Sequence, residues 1–378
     1  MAVDLDRRDV LAHRVAAQGL HGVASVGELD VLTLGLQDSP PGSAGLGLRQ
    51  RIAHGAPDQP DLVLAMTVRG SPHLHRRADL PLLRAALRPG DNEMLRAFLG
   101  GYGDELIASG ADGPALLETV ARRLREVFPG GTVTKGELSG AVSPSLPEVA
   151  RPWCPGCGTA HVAEGLFRLG TLYAGIELEP GGGRRQRFRL GPPPADPGDG
   201  DAALVELLRS YALLAGPVTL GDLLVWLDTR SVTAPPAWLK PAFDVLGDEL
   251  VPVRVAGADG TVFAHAETVA TVSGAPDPPP ALLLPARDAL VLGHRSFLVP
   301  ERSAAKAVWR AVGSPGVVVV AGEVSGVWRA RQSGRTLRLT VDAHRDLTAG
   351  ERAAVERQAG VVAQARGHSG RTEVVWDG

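Results

Sequence analysis

Proline- and glycine-rich stretches interrupt the chain repeatedly, and they limit it to several small units rather than one large core. Residues 191–200 (GPPPADPGDG) and 274–280 (GAPDPPP) have the composition of linkers. For 378 residues, the usual domain size predicts about two to four domains. The interruptions favour four parts, at residues 1–100, 101–195, 196–268 and 269–378.

The first part has the element order of a winged helix. Its apolar pattern predicts, in order, helices over 7–18 and 26–36, a helix behind the cap residue Ser43, a strand at Leu62–Val68, a basic loop at Arg69–Arg77 and a helix from Asp79. Three helices, a strand and a basic loop form a common DNA-binding arrangement.

The second and third parts repeat helices followed by a hairpin. The predicted elements are helix Pro114–Phe128 with the hairpin Leu172–Leu178 and Arg185–Leu190, then helices Ala203–Leu214, Leu220–Asp228 and Pro236–Leu246 with strands Leu250–Val255 and Thr261–Ala264. The last part predicts strands Gly316–Ala321, Glu323–Arg329 and Thr336–Val341 and the amphipathic helix Ala349–Gln364. We therefore expect an α+β fold with three tandem winged helices and a small C-terminal β-barrel-like domain.

Composition excludes several classes of protein. Aromatic residues are only 4% of the chain, which argues against a surface of stacked rings for single-stranded nucleic acid. Two cysteines exclude a disulfide-stapled scaffold, and no apolar run approaches the roughly 18 residues of a membrane span. We expect a soluble cytoplasmic monomer, associated with the nucleoid if it binds DNA.

Charge is unevenly distributed along the chain. The net charge is −3, but residues 281–378 hold 14 Arg and Lys against 9 Asp and Glu. A basic C-terminal part on an acidic body indicates an anionic partner, although chance unevenness would look the same.

Two polar clusters are candidates for DNA contact. The first comprises Arg69, His73, His75, Arg76 and Arg77 in the predicted loop, where arginine suits phosphate oxygens. The alternative is a solvated basic turn.

The second cluster lies beyond the apolar run Ala281–Leu284. It comprises Arg287, Asp288, His294 and Arg295, which are expected either to meet a ligand such as DNA or to form a local ion pair.

Gln37, Asp38 and Ser39 precede Pro40 and form the candidate catalytic segment. Proline disfavours helix for the residue before it, so this segment should be extended. In extended chain Gln37 and Ser39 share a side and Asp38 points away. The alternative is that Asp38 and Ser39 only cap and turn.

Cys154 and Cys157, with His161 four residues later, have the spacing of one zinc knuckle. Zinc requires four ligands, and the sequence has no second cysteine pair. His161 is then the third ligand, and an Asp, a Glu or another His is the fourth. A structural zinc ion and a reduced, metal-free pair both stay open.

Five stretches together resemble the bacterial winged-helix DNA-binding family of the AlkZ/YcaQ type. They are Arg69-Gly70-Ser71 with His73-Leu74, Gly216–Leu220 with Trp226, Gly247–Val253, Leu284-Pro285 with Asp288 and Leu292–Arg295, and Gly322 with Gly326–Arg329. The resemblance covers nearly the whole chain in the same order. It implies three winged helices and a β-barrel around duplex DNA, and excision of alkylated purines, including interstrand crosslinks, without a required cofactor.

The family's catalytic motif is Gln–apolar–Gln or Gln–apolar–Asp, and this chain departs from it. One alignment places Gln37, Asp38 and Ser39 on the three positions, and a second places Gly35, Leu36 and Gln37 there. Gln37 occupies a glutamine position in both. The resemblance therefore implies a DNA glycosylase acting through Gln37, and the alternative is a noncatalytic DNA-binding regulator or damage sensor.

Overall fold

The computed structural model describes residues 2–52, 60–99, 101–180, 186–196, 198–227, 236–310 and 312–377. The fold is α+β, as expected. Internal contacts divide the chain into unit 1, which comprises Met1–Gln59, Arg209–Asp222 and Gly247–Gly378, and unit 2, which comprises Pro60–Leu208 and Leu223–Leu246. The division into four sequential domains, three of them winged helices, stays a prediction.

The α-helices of the described residues are α1 Arg7–Ala17, α2 Val31–Leu34, α3 Ser43–Arg49, α4 Leu80–Ala86, α5 Asn92–Leu99, α6 Gly101–Ala108, α7 Gly113–Glu126, α8 Lys135–Val142, α9 Glu164–Tyr173, α10 Gly200–Ala215, α11 Leu220–Trp226, α12 Lys240–Gly247, α13 Ala266–Thr271, α14 Arg295–Leu298, α15 Arg302–Val308 and α16 Ala349–Ala365. No helix in these ranges is both long and apolar enough to cross a membrane.

The strands are β1 Val3–Leu5, β2 Leu36–Gln37, β3 Leu62–Met66, β4 Pro72–Arg76, β5 Thr132–Thr134, β6 Trp153–Cys154, β7 Thr159–Ala160, β8 Ile176–Leu178, β9 Arg187–Leu190, β10 Leu250–Val255, β11 Val262–His265, β12 Ala281–Leu284, β13 Gly316–Val320, β14 Glu323–Ser333, β15 Thr336–Ala343 and β16 Arg371–Asp377.

Unit 1 is built on a five-stranded sheet in the order β12-β13-β14-β15-β16. The pairs are antiparallel except β15–β16, which are parallel and joined through α16. Alternate residues of β12 and β13 enter two cores: Leu283 and Val318 pack with α3 and α16, whereas Leu284 and Val317 pack with α1 and β10. Burial on both faces explains why β12 and β13 are continuously apolar.

The expected β-barrel is not found among the described residues. Their sheet is open, with β12 and β16 at its edges. A second sheet in unit 1 has the order β1-β10-β11. Neither β1 nor β16 was predicted. Strand β1 has only three residues, and the residues of both strands are half-buried or exposed, so neither strand has a buried apolar run.

Unit 2 contains the strand order β4-β3-β8-β9-β5, with antiparallel pairs throughout. Helix α7 begins behind the cap Asp112 and buries Leu117, Val120 and Leu124 on one face. That face packs against α9, and α9 packs on β3 and β8. The predicted helix over 114–128 is confirmed within two residues.

Two predicted elements have different structures. Residues 26–36 were expected to be one helix, but they form a 3-10 turn at Val26–Glu28, the short α2 and then β2. Gly35 ends α2, because its positive φ of 84° does not continue a helix. Residues 172–178 were expected to be one strand, but the helical spacing of Leu166, Leu169 and Leu172 continues α9 to Tyr173.

Candidate functional site

Gln37 is the last residue of β2 in unit 1, and only 7% of its surface is exposed. Leu36 before it is buried at 2% exposure. A glutamine amide offers both a donor and an acceptor at neutral charge, so it can orient a water molecule without a proton transfer of its own.

Asp38 caps the helix that follows. Its Oδ1 accepts hydrogen bonds from the backbone N–H groups of Gly42 at 2.8 Å and Ala44 at 3.0 Å, at the start of α3. Burial raises the pKa of the Asp38 carboxyl, and hydrogen bonds from the backbone N–H groups of residues 42–44 oppose that rise. The capping alternative therefore describes Asp38 in this structure, while Ser39 beside it is half-buried.

Helix α3 is fixed at its other end by a buried ion pair. Arg51 contacts both carboxylate oxygens of Asp288, at 2.7 and 2.9 Å, and the two side chains are 0% and 1% exposed. Asp288 also accepts the backbone N–H of Leu290 at 2.9 Å. Gly47 of α3 lies close to the pair, since a Cβ there would be a tight 3.2 Å from Asp288 Oδ2. The ion-pair alternative is correct for Asp288.

A second buried arginine, Arg14 of α1, supports the same segment. It donates to the carbonyl groups of Ala215, Gly216, Leu290 and Leu292, the last three at 2.7–2.9 Å. Burial is the main cause that lowers the pKa of Arg14, to about 10, so it is still charged at neutral pH.

Gln18, one turn after Arg14, links the two arginines. Its side chain donates to Leu214 and Ala289, and its backbone carbonyl accepts from Arg51 at 2.9 Å. Neither Arg14 nor Arg51 was predicted from the sequence as part of a site. A usable signal existed for Arg14, since it falls on the apolar face of α1 beside Val10, Leu11 and Val15.

The hydrogen bonds of Arg14, Gln18 and Arg51 form a network in unit 1. It lies where three of the stretches that carry the family resemblance meet. Residues 216–222 and 284–295 meet at Arg14, and His294 Nδ1 lies 3.1 Å from Asp222 Oδ2. The hydrogen bond to Asp222 raises the pKa of His294. In the third stretch, the indole N–H of Trp328 donates to the Leu284 carbonyl at 2.8 Å. Gly293 has a φ of 95°, and a Cβ there would lie 2.5 Å from the Ala215 carbonyl oxygen.

The two arginines of the segment 287–295 differ from the buried Asp288 in their exposure to solvent. Arg287 and Arg295 are both exposed. Arg295 is held over the Trp309 ring, with its Cζ 5.3 Å from the ring centroid, which orders the guanidinium group without removing it from solvent.

Residues 69–77 of unit 2 do not form the predicted loop. Residues 72–76 form β4, which pairs with β3 across a turn at residues 67–71. His73 and His75 are buried, and Thr67 Oγ1 lies 3.1 Å from His73 Nδ1 and 2.9 Å from His75 Nε2. Burial lowers the pKa of His73 well below its usual value. The loop prediction is wrong because these polar side chains find partners inside the hairpin.

The arginines of the same stretch are also engaged. Arg69 donates to the Trp226 carbonyl at 3.3 Å, and Arg76 pairs with Asp79 at 2.9 Å. Arg77 pairs with Glu177, a carboxylate that also binds Arg189 at 2.9 Å. Contact of these arginines with DNA stays a prediction, and it would compete with bonds inside unit 2.

Cys154, Cys157 and His161 come together on a small hairpin of unit 2. Their ligand atoms all lie within 4.8 Å of one another. The side-chain hydrogen bond with His161 is the main cause that lowers the pKa of Cys154, to about 7.

A family model described as DNA glycosylase AlkZ-like matches residues 31–365. The solved structure of DNA glycosylase AlkZ from Streptomyces sahachiroi aligns with 99% of this chain and 100% of that chain, at 24% sequence identity and a TM-score of 0.70. No curated protein sequence matches the chain. The structural likeness supports the fold, and the family model supports the class of activity.

Proposed function

Since the chain belongs to the AlkZ-like family of DNA glycosylases, we propose that it hydrolyses the N-glycosidic bond of N7- or N3-alkylated purines in duplex DNA. The observation that carries this proposal is the burial of Gln37, which is followed directly by Asp38, the residue that caps the start of α3. An alkylated purine of this kind is cationic and leaves readily, so the enzyme has to place water and stabilise positive charge at the sugar. A neutral amide suits both tasks, and the proposed reaction requires no cofactor.

Gln37 orients the attacking water and presents its side-chain carbonyl to the charge that develops at C1′. Burial strengthens these interactions, because water competes less for a buried amide. Gln37 occupies the glutamine position in both alignments of the family motif, so this role does not depend on which alignment applies.

Asp38 acts as a positioning residue. Its Oδ1 is engaged by two backbone N–H groups of the first turn of α3, and a carboxylate held in this way fixes the path of the chain after Gln37. Ser39 supplies a hydroxyl beside the same turn. It shares the side of Gln37 if the segment is extended, and it is then the second polar group on the water.

The buried Arg51–Asp288 ion pair fixes the C-terminal end of α3, the helix that follows Gln37 and Asp38. Gln50 adds a hydrogen bond from its amide to the Leu283 carbonyl at 3.1 Å, which ties the end of α3 to β12. Catalysis that depends on a placed amide needs such support, since a small misplacement of a catalytic group is costly in rate.

DNA is held chiefly through phosphate contacts from Arg287 and Arg295. They are the exposed cations among the nine residues that sequence analysis named for DNA contact in the segments 69–77 and 287–295. Arginine matches phosphate oxygens with two parallel N–H donors.

The wild-type protein tests the proposal directly. Incubated with a duplex that carries a single N7-methylguanine, it should release the free base and leave an abasic site that alkaline treatment cleaves. A mobility shift of the duplex without base release would contradict the proposal and would favour a noncatalytic DNA-binding protein, either a regulator or a damage sensor.

A further inference from the structure

The hairpin β6–β7 has very little to hold it together. It contains two residue pairs, Trp153 with Ala160 and Cys154 with Thr159. None of residues 151–161 is buried, and Trp153 is 66% exposed. An isolated two-stranded hairpin is marginally stable in water, so a cross-link between its strands would stabilise it.

The turn of this hairpin places Cys157 close to Cys154. The backbone N–H groups of Cys157 and Gly158 donate to the Cys154 carbonyl at 3.2 and 2.9 Å. Gly158 has a left-handed φ of 63°, which glycine adopts without strain. The two thiols consequently face each other at the same end of the hairpin as the imidazole of His161.

His161 is oriented as metal-binding histidines are. Its Nδ1 lies 2.9 Å from the Val162 carbonyl oxygen, which can only accept, so Nδ1 carries the proton. In the neutral imidazole, this tautomer leaves the lone pair on Nε2. Histidines that bind metal usually donate their other ring N–H to a carbonyl or carboxylate in this way.

We propose that Cys154, Cys157 and His161 bind one zinc ion whose fourth position is open to a ligand from outside the chain. Zinc bonds of about 2.3 Å to sulfur and about 2.0 Å to nitrogen place tetrahedral ligands roughly 3.5 to 3.8 Å apart. Ligand atoms within 4.8 Å of one another reach that spacing by small side-chain rotations. Among the described residues, no Asp, Glu, His or further Cys joins the group.

The nearby carboxylate of Glu164 does not supply the fourth zinc ligand. Glu164, three residues after His161, is engaged by Lys135 and by Arg168. With no fourth ligand in the part of the chain that the structure describes, the ion takes its fourth ligand from water or from another molecule. The exposed Trp153 lies on the hairpin beside the site.

Metal content and cobalt spectroscopy of the whole protein test this proposal. Protein purified without added metal should contain about one zinc per chain. Protein reloaded with cobalt(II) should show sulfur-to-cobalt charge transfer and the intense d–d bands of a tetrahedral site. Cyanide should shift those d–d bands by binding at the open position.

Variants separate this site from adventitious binding. Cys154→Ser and His161→Ala should lose the metal, whereas His21→Ala, which removes an exposed histidine of unit 1, should retain it. Metal-free wild-type protein without a cobalt spectrum, or with a Cys154–Cys157 disulfide under reducing conditions, would overturn the proposal. Insensitivity of the d–d bands to cyanide would overturn the open fourth position.

Discussion

Two segments of the molecule carry similar residues in very different environments. Residues 69–77 in unit 2 and 287–295 in unit 1 both combine arginine and histidine after an apolar strand. In the first segment, the histidines are buried and contact the Thr67 hydroxyl, and Arg76 and Arg77 pair with acidic residues. In the second, Asp288 is buried, whereas Arg287 and Arg295 are exposed.

The difference shows that a run of basic residues does not by itself predict a binding surface. The partner of Arg77 is Glu177, which lies 100 positions later in the sequence. The partner of Asp288 is Arg51, which lies 237 positions earlier. Contacts between residues far apart in the sequence therefore determine which charged side chains are exposed and can contact DNA. Variants in the two segments test this difference.

The largest effect should come from the buried pair. Asp288→Ala leaves the fully buried Arg51 without its carboxylate, which should lower the free energy of unfolding by about 3–5 kcal/mol. Glu177→Ala is the matched control, because its partners Arg77 and Arg189 are 34% and 47% exposed and regain water. We expect about 1 kcal/mol there. Urea unfolding of both variants measures the difference, and equal losses would contradict the contrast between the segments.

A smaller effect should appear in DNA binding. Replacing both Arg287 and Arg295 by alanine should weaken binding to all sequences alike and should reduce the slope of log affinity against log salt by about 0.9 for each lost phosphate contact. Replacing both Arg76 and Arg77 should change the slope less, because those side chains are engaged by Asp79 and Glu177. Titration of duplex DNA between about 50 and 200 mM salt measures both slopes. The reverse order would return the DNA surface to residues 69–77.

Local patterns predicted much of the fold. Strand Leu250–Val255 was predicted with its observed bounds, and the helix over 349–364 was predicted to within one residue. These elements are identifiable because their periodicity and their end signals lie in the same short stretch, such as the Thr348 capping box before α16.

The candidate site was less predictable, for a physical reason. Asp38 and Gln37 could be named from local sequence, but the network of Arg14, Gln18 and Arg51 depends on contacts between residues about 200 to 280 positions apart. No local pattern encodes such contacts. The choice between an open sheet and a barrel was unpredictable for the same reason, since the periodicity of a strand does not determine which strands pair at its edges.

The central claim is that Gln37 performs the chemistry, and the single-turnover rate of N7-methylguanine excision tests it most directly. Gln37→Ala should lower that rate by about 10²–10³ while DNA affinity is retained, because one positioned polar group is lost. Gln50→Ala, which removes another buried glutamine of the same segment, and Asp38→Asn, which keeps an oxygen for the α3 cap, should each excise within about tenfold of the wild-type rate. A Gln37→Ala protein that excises at the wild-type rate, or an Asp38→Asn protein that loses more activity than Gln37→Ala, would contradict the account.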